Sequence, residues 1–141
     1  MQKEIKQIWQ FDQSPEEVWE YLTWPELLEQ WFVKMDFQPI MGHKFQVVGG
    51  TGCCNDCEVL EVIPFSRLSY SWNFASAKDQ KHYDSKVVWT LVPKENGTEL
   101  QLVHDGFIEL VDLNAHNNGW TTLVKLLAER LNTVKNESTN A

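Results

Sequence analysis

The stretch Trp120-Thr121-Thr122-Leu123-Val124-Lys125-Leu126-Leu127-Ala128-Glu129-Arg130-Leu131 decides the fold of this chain. Large apolar residues recur in it at steps of three and four and continue to Val134, whereas Lys125, Glu129 and Asn132 fall on the opposite side. This period predicts an amphipathic helix with one buried face, which we place at residues 113–134. A helix of this length needs a large apolar surface to cover it.

Gly119 stands directly before this stretch, inside the same helical pattern. Glycine costs roughly 1 kcal/mol relative to alanine in a helix interior, so its presence calls for a reason. One interpretation is that a backbone or a ligand comes close to the helix there. The other is that Gly119 marks a frayed or bent first turn.

In the N-terminal third of the chain, the spacing of the apolar residues changes once, from that of a strand to that of a helix. Residues 3–11 alternate as a half-buried strand does. Ser14-Pro15-Glu16-Glu17 then predicts a helix start, with Ser14 as the N-cap and Glu17 completing a capping box. Pro25 interrupts the helical pattern and restarts it, so two short helices are expected after the first strand.

Residues 35–107 have the pattern of consecutive β-strands separated by turns. We expect two of these strands over residues 58–63 and 85–92, and a flexible loop at residues 49–52. Leu68 to Phe74 alternates large apolar with small polar side chains, and Asn96-Gly97 lies between two strand-like runs as in a hairpin. The order of elements predicts an α+β domain in which an antiparallel sheet curls around the single long helix. We expect one domain over residues 1–135 and a flexible tail over 136–141.

Composition narrows the classes of partner. The chain has 141 residues and a formal net charge of -8, which argues against a nucleic-acid backbone as partner. No stretch approaches the ~18 apolar residues of a membrane span, and the charged N-terminus does not resemble a signal peptide. We therefore expect a cytoplasmic protein without a membrane span.

The three cysteines, Cys53, Cys54 and Cys57, lie close together and are odd in number, which does not suggest a disulfide framework. Cys54 and Cys57 have the spacing of metal ligands or of a redox pair. A structural zinc site needs four ligands, however, and a redox pair usually lies at a helix N-terminus. We therefore favour ordinary loop thiols, with no metal site and no cofactor.

Two histidines are candidates for polar chemistry. His104 alternates with Leu100 and Leu102, so it either points into a cavity as an anchor or acid/base group or is a satisfied core residue. His116 either flanks the mouth of such a cavity or is solvated on a surface loop. We find neither a nucleophile at motif spacing nor a phosphate-binding loop, so no catalytic residue is assigned and His104 is the only candidate.

The aromatic residues are more numerous than a core of this size requires, with seven Trp, seven Phe and three Tyr. Trp and Tyr also carry polar groups that need partners. This favours a cavity between sheet and helix with aromatic walls, although plain core packing is the alternative for each residue. The residues expected to line the cavity are Trp31, Tyr70, Trp72, Phe74, Trp89, His104, Phe107, Gly119, Trp120 and Leu123.

Several blocks together resemble a known family. They are residues 14–23, 28–32, 61–68, 97–100 and 104–107, followed by Gly119-Trp120 and the Leu-rich helix. In order and spacing they are similar to the activator-of-Hsp90-ATPase-homologue family of the START-like, or SRPBCC, superfamily. Met41-Gly42-His43 and the cysteine cluster depart from the family pattern.

The resemblance implies a helix-grip fold: a curved antiparallel sheet of about six or seven strands, two short helices after the first strand, and a long C-terminal helix. It implies three kinds of function: non-enzymatic binding of a hydrophobic or amphipathic small molecule, chaperone-associated regulation, and cyclase- or hydrolase-type catalysis. We favour the first of these. A chaperone partner and a monomeric or dimeric state remain open at this point.

Overall fold

The computed structural model describes residues 3–48 and 54–139, with side chains over 3–48 and 55–132. Within these ranges the chain forms six strands and three helices. Their order is β1 (Glu4–Phe11), α1 (Pro15–Thr23), α2 (Pro25–Trp31), β2 (Lys44–Val48), β3 (Cys54–Ile63), β4 (Arg67–Ala75), β5 (His82–Lys94), β6 (Gly97–Asp105) and α3 (Leu110–Thr139).

The strands form one antiparallel sheet in the order β1-β6-β5-β4-β3-β2. Strands 2 to 6 are therefore a meander, and β1 closes on β6 with Ile5 opposite His104 and Phe11 opposite Thr98. The predicted α+β class, with two short helices after the first strand and one long C-terminal helix, is confirmed. None of the described helices combines the length and apolar character that crossing a membrane requires.

The helix-break-helix unit forms as the sequence predicts. Ser14 accepts a hydrogen bond from the backbone N–H of Glu17, while the Glu17 carboxylate accepts one from the backbone N–H of Ser14. This reciprocal capping box satisfies two amides that the first turn of α1 would otherwise leave without partners. Pro25 begins α2, where its missing N–H costs nothing.

Three elements extend beyond their predicted bounds. β3 begins at Cys54 instead of Glu58, because residues 54–58 pair with β2, and β5 begins at His82 instead of Ser85 because it pairs with the end of β4. The last helix runs over Leu110–Thr139 instead of 113–134, so it includes part of the segment predicted to be a tail. The predicted loop at residues 49–52 and the last two residues lie outside the described part of the chain.

Helix α3 lies against the sheet through the face that its sequence period indicates. Trp120, Val124, Leu127 and Leu131 are buried, whereas Lys125 is exposed. Near the start of the buried face, the Gln7 amide of β1 donates to the Asn117 side-chain oxygen at 2.9 Å and to the Thr121 hydroxyl at 3.1 Å. These contacts fix the helix across the sheet, where His116 meets Trp72 of β4 and Trp120 meets Trp89 of β5 and His104 of β6.

Candidate functional site

The space between α3 and the sheet is centred on Trp120. Its ring makes edge-to-face contacts with Trp89 and Phe32, both at a centroid distance of 5.5 Å, and a tilted contact with Trp72 at the same distance. Trp89 in turn donates its indole N–H to the Tyr70 hydroxyl at 2.9 Å. Edge-to-face pairs of this kind stabilise a core beyond their burial. The deep part of the interface is therefore filled by aromatic rings.

His104 is fully buried on the inner face of β6 and uses both ring nitrogens. The Trp120 indole donates to its Nδ1 at 2.9 Å. The Ser85 hydroxyl donates to the Trp72 carbonyl at 2.7 Å and lies 2.8 Å from His104 Nε2. Since the Ser85 proton is already used, Nε2 carries the imidazole hydrogen and donates it to Ser85 Oγ.

This arrangement holds His104 neutral. Burial lowers the pKa of His104 to about 3, and the Coulombic effect of His116 lowers it further. A second proton on Nδ1 would also face the Trp120 N–H directly. His104 is therefore a satisfied core residue in this structure, with no nitrogen free to exchange a proton with a ligand.

His116 lies in α3 rather than on a solvated loop, because the helix begins six residues earlier at Leu110. Its Nδ1–H donates to the Asp112 carbonyl at 2.9 Å, and its Nε2 accepts from the Trp72 indole at 3.3 Å. Burial lowers the pKa of His116, against the opposing effect of the Asp112 hydrogen bond and charge. His116 is thus a neutral, half-buried residue beside Trp72.

Asp112 ties the first turn of α3 to the segment after β4. Its carboxylate is buried and accepts from the Ser76 hydroxyl at 2.6 Å and from the Ala77 backbone N–H at 2.9 Å. A carboxylate in the first turn also interacts favourably with the helix dipole. The contact positions the turn of α3 that carries His116.

A pocket of about 290 Å³ opens beside this cluster, between α3, the end of α2 and the β2–β3 hairpin. Its wall is almost entirely apolar and aromatic. The lining residues are Phe32, Val33, Val47, Asn55, Trp72, Ala115, His116, Gly119, Trp120 and Leu123.

Gly119 forms part of the pocket wall and is exposed. A Cβ atom added there would meet no atom within 4 Å, so the expectation that another backbone approaches this glycine is wrong. The alternative of a bent first turn is also wrong, because α3 begins nine residues earlier. What the glycine leaves is open space on the pocket side of the helix.

The structure divides the ten residues expected to line a cavity into two groups. Trp72, Gly119, Trp120 and Leu123 lie together around the pocket. The other six are buried in the core that supports the pocket and do not line it: Trp31, Tyr70, Phe74, Trp89, His104 and Phe107.

Five lining residues had no signal in the sequence. Phe32 and Val33 follow the end of α2, Val47 and Asn55 lie opposite each other in the β2–β3 pair, and Ala115 lies in the extra N-terminal turns of α3. The register of the hairpin and the helix start bring them together.

The cysteine interpretation needs one correction. Cys57 lies in β3 and is buried, so it is not a loop thiol. Burial raises the pKa of Cys57 to about 12, and the nearby Asp56 carboxylate adds to the shift, which makes the thiol inert. Cys53 and the Cys54 side chain lie outside the described residues. Within the described part, no three His, Cys, Asp or Glu side chains are grouped as metal ligands.

The fold and the pocket together define a class. A six-stranded antiparallel sheet that grips a long C-terminal helix, with an apolar pocket between them, is the helix-grip architecture of START-like proteins. Residues 12–132 match the family described as "Activator of Hsp90 ATPase homolog 1-like protein", and the chain belongs to this family. No curated protein sequence matches the chain.

Solved structures agree with this assignment. Protein MLL2253 from Mesorhizobium loti is 34% identical, with a TM-score of 0.86 over 92% of this chain and 97% of that chain. DynU16, described as a putative protein in the dynemicin biosynthetic locus, is 26% identical with a TM-score of 0.82, and the match covers 93% of this chain but 48% of DynU16. The Aha1 dimer from Colwellia psychrerythraea shares the fold at 21% identity, a TM-score of 0.75, and coverage of 91% and 95%.

Proposed function

We propose that this protein binds a hydrophobic or amphipathic small molecule in the pocket beside Gly119, without catalysing a reaction. The observation that carries the proposal is the open space at a glycine in the middle of a long helix, on a wall that is mostly apolar and aromatic. An alanine there would favour the helix by roughly 1 kcal/mol and would meet nothing. The glycine is thus explained if the open space beside it holds a ligand.

The shape of the pocket supports the same function. Its volume of about 290 Å³ lies just below the ~300–1,000 Å³ range of ligand sites, which suits a compact molecule better than a long lipid chain. Trp72, Trp120 and Phe32 contact one another and form a preorganised aromatic wall. A preorganised wall binds its ligand more tightly, because its side chains lose little conformational freedom on binding.

A side chain placed at position 119 tests the proposal. We expect the wild-type protein to bind N-phenyl-1-naphthylamine, an uncharged fluorescent probe, and Gly119→Leu to weaken that binding at least about tenfold, because the new side chain takes up pocket volume. Leucine is also the better helix former, so the thermal stability of the variant should not fall. Fluorescence titration and thermal unfolding measure the two effects.

Asn118→Leu is the matched control. Asn118 is exposed, adjacent in α3, and does not line the pocket, so the same side chain there should leave the affinity for the probe unchanged. Loss of binding in both variants, or in neither, would contradict the assignment of the site. The absence of any probe binding to the wild type would overturn the proposed function.

A chaperone-associated regulatory function is the second candidate, and membership of a family named for an activator of Hsp90 ATPase favours it. An exposed apolar patch at the start of α3, made of Ile108, Leu110 and Val111, provides surface for a protein contact. Adding the protein to the host Hsp90 homologue should then raise its ATPase rate, and Leu110→Lys should abolish the increase. An unchanged rate would rule this function out.

A cyclase- or hydrolase-type activity has less support. The residue considered for acid/base chemistry, His104, is held neutral by two hydrogen bonds in the core and does not reach the pocket. Ligand binding and chaperone regulation are both compatible with a protein of the cytoplasm, and we propose that location.

A further inference from the structure

We infer that the pocket selects an uncharged aromatic or polycyclic ligand and rejects an anionic one such as a fatty acid or a sulfonate. This inference rests on the proposed binding function and concerns which class of ligand the same pocket takes. It is carried by the hydrogen-bonding state of the pocket wall, in which the ring N–H donors are already engaged.

The first observation is the absence of a cation. None of the ten described lining residues is Lys or Arg. An anion that enters an apolar pocket loses its hydration, and the loss is large unless a cation or several hydrogen-bond donors replace the water. The wall would have to supply those donors from its neutral side chains.

The second observation is that the ring donors of the wall are occupied. The Trp120 indole N–H is donated to His104, the Trp72 indole N–H to His116, and the Nδ1–H of His116 to the Asp112 carbonyl. To be bound by any of these ring donors, an anion would have to break one of the contacts, which would leave a buried acceptor without its partner. An uncharged apolar ligand can occupy the space with all of them intact.

The third observation concerns the side-chain amide of Asn55, the polar group of the wall that belongs to no aromatic ring. Asn55 lines the pocket and directs its amide N–H to the Asn73 carbonyl at 2.9 Å, which identifies Oδ1 as its acceptor. Among the described residues, neither Oδ1 nor the second N–H of this amide has a hydrogen-bond partner in the chain. The wall thus offers an anion one neutral N–H, which replaces only a small part of its hydration, beside an oxygen that repels a carboxylate or sulfonate.

The wider charge distribution acts in the same direction. The Asp112 carboxylate lies one helical turn from His116, and the whole chain has a formal net charge of -8. A net negative charge disfavours the approach of anions to the protein, and a carboxylate this close to the wall adds to the effect. The lack of a cation, the occupied ring donors and the net negative charge thus all select against the same class.

Two matched probes test the inference. N-phenyl-1-naphthylamine and 8-anilinonaphthalene-1-sulfonate share one aromatic framework and differ by the sulfonate. We expect the wild-type protein to bind the uncharged probe at least about tenfold more tightly, because the sulfonate would be buried without a partner. Fluorescence titration of each probe at pH 7, with Gly119→Leu to identify binding in the pocket, gives the ratio.

A lysine in the wall distinguishes charge from size. Ala115 lines the pocket and is exposed, so Ala115→Lys places a cation at the site without burying it in the core. We expect this variant to bind the sulfonate at least about fivefold more tightly than Asn114→Lys does. Asn114 is exposed in the same turn and does not line the pocket, so that control has the same net charge.

Each outcome has a distinct meaning. If the sulfonate binds as tightly as the uncharged probe and Gly119→Leu blocks both, the pocket exists but the selectivity inferred here is wrong. If Ala115→Lys and Asn114→Lys bind the sulfonate equally, charge is not what excludes it, and the inference also fails. If neither probe binds, the proposed function fails first and the inference with it.

Discussion

Gly97→Ala is expected to destabilise the protein by at least about 4 kcal/mol, a large part of the ~5–15 kcal/mol that stabilises a typical domain. The reason is steric. A Cβ at position 97 would lie 1.9 Å from the Phe11 carbonyl oxygen and 3.0 Å from the Asp12 Cα. These atoms belong to the backbone at the end of β1, which is held in place by the pairing of Phe11 with Thr98. Relief therefore requires the two strands to separate.

Gly42→Ala is the control for backbone conformation. Gly42 has a φ of +86°, but a Cβ there would meet no atom within 4 Å. Only the penalty of the left-handed region applies, about 1–2 kcal/mol. Urea unfolding followed by tryptophan fluorescence should show a loss of about 1–2 kcal/mol for Gly42→Ala and of at least about 4 kcal/mol for Gly97→Ala. Equal losses would mean that the contact with Phe11 does not limit residue 97.

Gly97 shows how sequence reasoning can predict a feature for the wrong reason. Asn96-Gly97 predicted a hairpin, and β5 and β6 are joined there. The turn residues, however, are Glu95 and Asn96, and Gly97 is the first residue of β6, paired with Lys94. The glycine is required by the close approach of β1, which is distant in sequence. Local turn chemistry contains no signal for such a contact.

The elements that depend on local sequence were predictable. The capping box at Ser14, the restart of the helix at Pro25 and the buried face of α3 each follow from residues within one or two turns. The resemblance to the family added the topology. The strand boundaries at Cys54 and His82 were missed because pairing with a neighbouring strand extends them beyond the segment that alternates clearly.

The candidate site was less predictable, for a physical reason. Alternation along β4 indicates that Tyr70, Trp72 and Phe74 face inward, and all three do. It does not indicate which inward-facing ring meets another ring and which meets open space. That depends on where α3 crosses the sheet and on the β2–β3 hairpin, so only Trp72 of the three lines the pocket.

His104→Leu is expected to cost about 2–4 kcal/mol at pH 7 and much less at pH 5. At pH 7 the variant leaves the buried Trp120 N–H without its acceptor and the Ser85 hydroxyl without a donor, at about 1–3 kcal/mol for each such group. The imidazole of the wild type remains neutral there, so it makes both contacts at no electrostatic cost.

The pH dependence follows from the pKa of His104, which burial lowers to about 3 in the folded state from its ordinary value of 6.5. Between these values the unfolded chain binds a proton that the folded chain does not, so wild-type stability falls as the pH falls. From pH 7 to pH 5 the loss from this group is about 2 kcal/mol. The variant has no imidazole at this position, so its free energy of unfolding does not fall for this reason. The difference in stability between the two proteins therefore shrinks by that amount.

Urea unfolding of both proteins at pH 7 and pH 5 measures the change, and carboxylates common to both cancel in the difference. Leu102→Ala is the control, because Leu102 is as deeply buried in the same strand and its loss costs about 2–5 kcal/mol with no group that titrates. Its effect should be the same at both pH values. If His104→Leu behaved likewise, His104 would have to be protonated in the folded protein or free to titrate. The hydrogen bonds that give it a structural role instead of a catalytic one would then be wrong.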